Sequence, residues 1–437
     1  MHVVAASAAR AEATGFLDTG FFSDGKITVA PSGGDPHANA VAAAPDGRVV
    51  IAGTRFFANG QSTLFWYSLS DTATGTICSP ISPGGGLFAS ANAATFDSDG
   101  RLVVVGTASF AGTGYDVLIL RYLYPACTLD SSFSGDGVYT VGLNQAEHLS
   151  DVAIDGQDRI VAAGDILDGS SNQRLLVLRL QINGTPDTSF SGDGRFDLDW
   201  GAGADFGQVV IQDDGKIVAG GTIDGGALGT VFAVVRLTSG GVLDSTFSGD
   251  GAFAFDFPYG EDDRMSDLAI DPVTGRVLAA GASDDADTGT TRSAVARLTS
   301  TGTLDSGFDG DGVWVDNVYD VEAMASIVPQ SDGRILLAGD AANVGADRNF
   351  FAYRLDHDGG VDSGFGFFGV SEVAFDLGGV DDDLGLAGGL QAGKLVIAGS
   401  AETAGETQAA VARLWSSFIF ADGFERGSTR TWLSTAP

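Results

Sequence analysis

Carboxylates recur at one place in this 437-residue chain. Counting back 16–19 residues from a set of recurring glycines reaches Asp35 with His37, Glu147 with His148, Asp205, Asp262 with Asp263, Asp320 with Glu322, and Asp381 with Asp382 and Asp383. The second repeat is the exception, with Phe88 and small residues there. Gathered carboxylates suit a hard cation such as Ca²⁺, and their field suits a basic partner. A pair of them could also serve a hydrolase. Against these stands a plainer reading, solvated loops in a chain with 57 acidic residues among 437. Other chemistry finds little support. The four histidines are His2, His37, His148 and His357, and no HExxH or GxSxG occurs. No phosphate-binding glycine pattern follows a strand and opens a helix. The Asp-Gly turns, such as Asp97–Gly100, lack the twelve-residue spacing of a calcium loop and read as β-turns.

The glycines that set this register end seven short apolar runs: "DGRVVIAG" at Gly53, "DGRLVVVG" at Gly106, "QDRIVAAG" at Gly164, "DGKIVAGG" at Gly221, "TGRVLAAG" at Gly281, "DGRILLAG" at Gly339 and "AGKLVIAG" at Gly399. The steps between them are 53, 58, 57, 60, 58 and 60 residues. A period of this size marks an array or a propeller. Within each unit an apolar run such as Asp151–Asp155 passes through a tight turn into a second run, the pattern of a hairpin. A third run follows, such as Leu175–Leu180, and then a motif of the form LDxxF leads to an outer strand. The expected fold is therefore all-β: a seven-bladed β-propeller with four antiparallel strands per blade, spanning residues 16–415. Its first strands would line a central channel, so the acidic positions would crowd one mouth.

The third run ends in Arg121, Arg179, Arg236, Arg297, Arg354 and Arg413, and the linkers carry Asp130, Asp187, Asp244, Asp305 and Asp362. The first unit has Ser68 instead of arginine, and its linker has no aspartate at that place. Joint loss is what an ion pair predicts, since a lone buried charge costs several kcal/mol. Arg413 has no linker after it, while Asp18 near the start has no third strand before it. The two match if the N-terminal strand completes the last blade and closes the ring, which removes open sheet edges. The phenylalanines of LDxxF (Phe21, Phe133, Phe190, Phe247, Phe308 and Phe365) read as packing between blades, and the recurring glycines as bulge or close-packing positions. Cys78 and Cys127 fall one position apart in register in the linkers of units one and two. They read either as an inter-blade disulfide, which fits an oxidising compartment, or as two buried thiols.

Bulk composition bounds the partners. Lys+Arg 23 against Asp+Glu 57 gives −34, a field that repels nucleic acid and anionic membranes. No apolar run approaches the ~18 residues of a membrane helix. An Ala11-Glu12-Ala13 site in a short leader, residues 1–15, is of the small-residue kind cut on export, though the charged region of a full signal is missing.

The combination of LDxxF(S)GDG, DG[RK][IVL]VVAG and RL resembles the bacterial delta-60 repeat over Phe16 to Leu414. The resemblance implies a β-propeller-like array in an extracellular or cell-surface protein with no shared catalytic residues. Unit two departs most, with "TICSPISPGGGLF" in place of the outer motif before it. The last segment, residues 416–437, contains "DGFERGSTRTW", which resembles a DGFESG-type C-terminal tail of secreted Gram-negative proteins and again implies export. The expectation is a monomeric, non-catalytic binding or structural module with an unknown protein or glycan ligand, of cationic character. Its rival is a hydrolase or metal-dependent enzyme at the acidic mouth, and calcium is the one cofactor considered.

Overall fold

A strand whose residues alternate between two apolar neighbours must be covered on both faces, and the second run of each repeat has that character. In the computed structural model, Ile160–Leu167 is buried almost throughout. Ile160 and Ala162 pack toward Val103, Val105 and Ile119 of the preceding repeat, whereas Val161 and Ala163 pack toward Ala219 and Val231 of the following one. The core is thus a succession of layers between neighbouring sheets, each residue choosing its side by the period of two. The structure describes residues 14–416 apart from 31–32, 79–87, 111–113, 143–145, 168–172, 202–204, 259, 286–287, 317–320, 343–346, 376, 378–381 and 403–405. Asp320 and Asp381, residues 1–13 of the leader and the tail beyond Ser416 lie outside them.

Seven four-stranded antiparallel blades result. Blade 1 holds Asp35–Ala43, Val49–Phe56, Ser62–Leu69 and Thr74–Cys78. Blade 2 holds Phe88–Phe96, Leu102–Phe110, Gly114–Leu123 and Val138–Val141, with the short Thr128–Leu129 beside its third strand. The remaining first strands are Glu147–Ile154, Asp205–Ile211, Gly260–Ile270, Val321–Pro329 and Leu384–Gln391. Among the described residues the only helical element is the single 3-10 turn Gly226–Leu228, and no helix is long and apolar enough to cross a membrane.

The ring closes as the orphaned arginine and aspartate lead one to expect. Lys26–Val29 pairs antiparallel with the last strand, Thr407–Trp415, with Lys26 opposite Ala412 and Val29 opposite Ala409. Phe21 and Val29 then join Val49, Ile51, Val396 and Val411 in the layer between blades 7 and 1.

Each first strand carries a β-bulge at the same register. The pairing skips one residue between Ala38 and Ala40, Ala91 and Ala93, Leu149 and Asp151, Phe206 and Gln208, Met265 and Asp267, Met324 and Ser326, and Gly385 and Ala387. The residue before each bulge faces a recurring glycine. A Cβ on Gly164 would stand 1.9 Å from the His148 carbonyl oxygen, and one on Gly399 1.8 Å from that of Leu384. The bulge pushes a carbonyl into the space a side chain would need, so glycine is required there.

Candidate binding mouth and central channel

The bulges aim short polar side chains at the axis. A cavity of about 260 Å³ is lined there by residues of all seven first strands, among them Asn39, Asn92, Ser150, Asp151, Gln208, Asp267 and Ser326. Several of these groups tie their blade to the next. Asn39 Nδ2 donates to the Ala91 carbonyl at 2.9 Å and Asn92 Nδ2 to that of Leu149 at 2.7 Å. Asp151 accepts the N–H of Val209 at 2.9 Å, Asp267 that of Ile327 at 2.8 Å, and the Ser326 hydroxyl that of Gly388 at 2.9 Å. Each aspartate also accepts the N–H of the residue after it. Burial pushes the Asp151 carboxyl up to about 6 against those two hydrogen bonds. Burial, joined by the charge of Asp151, holds Asp267 well above the usual carboxylate range. Sequence reasoning missed both residues. Their signal was the shared "SDVAID" and "SDLAID", read there only as strand.

The acidic positions lie where the first strands begin, on what we call the upper face, but they do not share one task. Asp35 and Asp205 are exposed at strand starts, opposite Phe56 and Thr222. His37 is half-buried, and burial lowers its pKa against the pull of Asp35 and Glu402. Glu147 is fully buried, and its neighbour His148 lies 3.3 Å from the Thr107 hydroxyl. Two acidic doublets act alike. Asp262 accepts the N–H of Thr230 at 3.0 Å and Asp382 that of Arg348 at 3.0 Å, each at the start of the preceding blade's third strand. Asp263 accepts the N–H of Phe257 at 3.0 Å and Asp383 that of Phe375 at 2.7 Å, each just after the preceding blade's fourth strand. Glu322 belongs to the strand Val321–Pro329, opposite Ala341. The expectation of one converging ring needs correcting in this respect: half-buried or buried acids bind backbone of the neighbouring blade. Among the described residues, no three His, Cys, Asp or Glu side chains gather as a metal would need.

The arginines occupy the lower face, where the third strands end. In blade 3, Arg179 donates from Nε to Asp187 at 2.7 Å and from Nη1 to the Ser239 carbonyl of blade 4 at 2.6 Å. Its guanidinium lies 4.7 Å from the Phe190 ring centre. Burial would raise the Asp187 carboxyl, but the Ser189 hydroxyl and N–H and the charge of Arg179 outweigh it and hold the group at about 2. The same arrangement joins Arg121 to Asp130 and Ile182, Arg236 to Asp244 and Ser300, Arg297 to Asp305 and His357, and Arg354 to Asp362 and Ser416. Arg413 pairs with Asp18 at 2.6 Å and with Asp71 of blade 1 at 2.7 Å. So each arginine joins its own linker to the blade that follows. Gly184, Gly241 and Gly302 press on Phe133, Phe190 and Phe247 of the blade before, which leaves no room for a ligand ring. At the junction of blades 1 and 2, Ser68 meets the Tyr124 hydroxyl at 3.0 Å, and a disulfide joins Cys78 to Cys127 with Cα atoms 5.5 Å apart.

Residues 98–133, 158–190, 212–247, 274–308, 330–365 and 393–417 match the family described as "Domain of unknown function (DUF5122) beta-propeller". No curated protein matches the chain. Among solved structures, a protein of unknown function from Dyadobacter fermentans is 12% identical over 89% of this chain and 97% of its own, with a TM-score of 0.47. Sqt1 from Chaetomium thermophilum is 13% identical over 88% and 97%, at 0.45. A polysaccharide lyase of family PL25, an ulvan lyase, is 11% identical over 89% and 96%, at 0.48. The unmatched first repeat is the one with Ser68 in place of arginine, and over the other six the chain is similar to this β-propeller repeat family of unknown function.

Proposed function

We propose that the propeller is a non-catalytic binding or structural module working outside the cytoplasm, extracellular or at a bacterial cell surface, which takes a basic partner on its upper face. The observation that carries this reading is the set of exposed carboxylates around the upper mouth, where few basic side chains stand free of a carboxylate. Exposed carboxylates at the upper face include Asp35, Asp199, Asp205, Asp224 and Glu402. In the lower-face turns Arg101, Arg159, Lys216, Arg276, Arg334 and Lys394 are each engaged by a carboxylate. Of the upper-face cations, Arg264 and Arg174 are held by Asp284 and Asp197. These exposed carboxylates, on a chain of net −34, give the upper mouth a negative field that draws in a cationic surface and speeds its association. The disulfide and the resemblance to exported repeats and tails support the location. The reading does not require calcium.

A fluorescent oligolysine peptide tests it. Binding should weaken steeply between about 20 and about 200 mM salt and fall several-fold in the triple variant Asp35→Asn/Asp205→Asn/Glu402→Gln. The lower-face control Asp332→Asn/Asp358→Asn should bind as the parent does. Equal loss in the control, or no binding at low salt, would overturn the assignment.

A further inference from the structure

One turn breaks the repeat. After the LDxxF phenylalanine, blades 2 to 5 read Ser134–Gly137, Ser191–Gly194 and Ser248–Gly251 as SGDG, and Asp309–Gly312 as DGDG. The aspartate of each accepts the N–H two residues on, as Asp136 does from Val138 at 2.9 Å and Asp193 from Arg195 at 3.0 Å. Blade 6 reads Gly366-Phe367-Phe368-Gly369. It gives up that acceptor and holds Phe368 at a φ of 57°. Phe368 is 86% exposed and Phe367 74%, more than any other large apolar side chain among the described residues. Phe367 meets Phe16 edge-on at 5.5 Å, and Phe16 and Val361 are themselves exposed. Four sister turns close without aromatic rings, so the fold does not need them, and an apolar patch kept in water calls for a cover.

We propose that this patch docks the chain's own C-terminal segment, residues 418–437. The chain arrives beside it. The Ser416 carbonyl accepts from Arg354 of blade 6, Trp415 donates its N–H to the Phe16 carbonyl at 3.0 Å, and Gly366 donates to that of Thr14 at 2.9 Å. From Ser416 a few extended residues, at roughly 3.3 Å each, cover the distance past Phe16 to Phe367. The segment carries Phe418, Ile419, Phe420, Phe424, Trp432 and Leu433. Its charges, Asp422 and Glu425 against Arg426 and Arg430, cancel. A second copy of a chain at −34 is repelled, whereas this segment is not. Residues 1–13, which precede Thr14, hold no Phe, Tyr or Trp.

Hydrogen exchange on the full chain tests this. In the parent, amides of 418–437 exchange slowly. In Phe367→Ser/Phe368→Asp, which restores the turn of the other blades, they exchange about tenfold faster with the melting temperature unchanged. The reciprocal variant Phe418→Ser/Phe420→Ser leaves the propeller intact and raises binding of a hydrophobic dye, which the parent's covered patch resists. Equal exchange in parent and turn variant, or no rise in dye binding, overturns the proposal. A change confined to residues 1–13 would give the patch to the leader. A parent dimer that the turn variant dissociates would give it to a second copy.

Discussion

Asp263 is a carboxyl whose titration this fold moves up to the neutral range. Burial pushes it up to about 7, against the N–H it accepts from Phe257, and the neighbouring Asp256 adds to the rise. Asp151 and Asp267 are raised for the same reason. A raised carboxyl contributes stability that is complete below its unfolded value of 3.8 and lost as pH climbs through its folded value. The stapling aspartates behave oppositely. Asp187, held at about 2, contributes above 3.8 and loses that contribution as pH falls through about 2. The melting temperature should therefore peak at about pH 4–5 and fall by pH 8, with self-repulsion at −34 adding to the fall. Asp263→Asn, whose amide can still accept from Phe257 and can donate to Asp256, should flatten that fall and exceed the parent at pH 8 by about 1–3 kcal/mol. Calorimetry of both proteins across pH decides, and a variant no more stable than the parent at pH 8 refutes the account. The two kinds of aspartate differ in how they show in sequence. The stapling ones stand out because six copies keep them and one loses both partners. A lone Asp151 at the head of an apolar run reads as strand alternation, since its partner N–H is 58 residues away.

Junctions between blades are the elements on which stability turns, and one of them is built differently. Five junctions carry the arginine, its aspartate and the carbonyl of the next blade, and at the closure Arg413 keeps its aspartate, Asp18, but meets the carboxylate of Asp71 in place of a carbonyl. Between blades 1 and 2 the disulfide stands in that role, with Ser68, Tyr124 and Asp46 hydrogen-bonded beside it. Its closed loop of 49 residues makes the cross-link worth up to about 4 kcal/mol on chain entropy. Cys78→Ser/Cys127→Ser should lower the midpoint accordingly and speed amide exchange in Thr74–Cys78 before any other blade. Melts of the variant and of reduced parent read the first effect, and exchange by mass spectrometry reads the second. Uniform loosening around the ring would mean that the bond does not belong to this junction alone. Strands and their order were legible because apolar runs and Asp-Gly turns recur at fixed spacing. The recurring glycines were visible too, but the carbonyl each one makes room for lies 15 or more residues earlier in the chain. The acidic doublets misled in the same way: their backbone partners in the preceding blade leave no trace in composition.

Closure decides the behaviour of the whole molecule, and the N-terminal strand tests it. Removing residues 1–29 would take Lys26–Val29 from the edge of Thr407–Trp415 and Phe21 from the layer between blades 7 and 1. It would also leave Arg413 and Lys394 without Asp18, which lies within 2.7 Å of both. The exposed strand then offers unpaired N–H and carbonyl groups along its length, a template for another chain. Charge opposes that association, so the outcome should depend on salt. At low ionic strength −34 keeps truncated copies apart, and above about 0.15 M, where screening shortens to ~8 Å, they should associate. Light scattering should therefore show a salt-triggered rise in mass for the truncated chain and none for the parent. Asp18→Asn separates the pair from the strand. It keeps the pairing of Lys26 with Ala412 and leaves Arg413 facing Asp71, so it should cost about 1–3 kcal/mol without any change in mass. A truncated chain that melts with the parent and stays monomeric at all salt concentrations would show that the other six junctions suffice, and that the first strand is not what holds the ring shut.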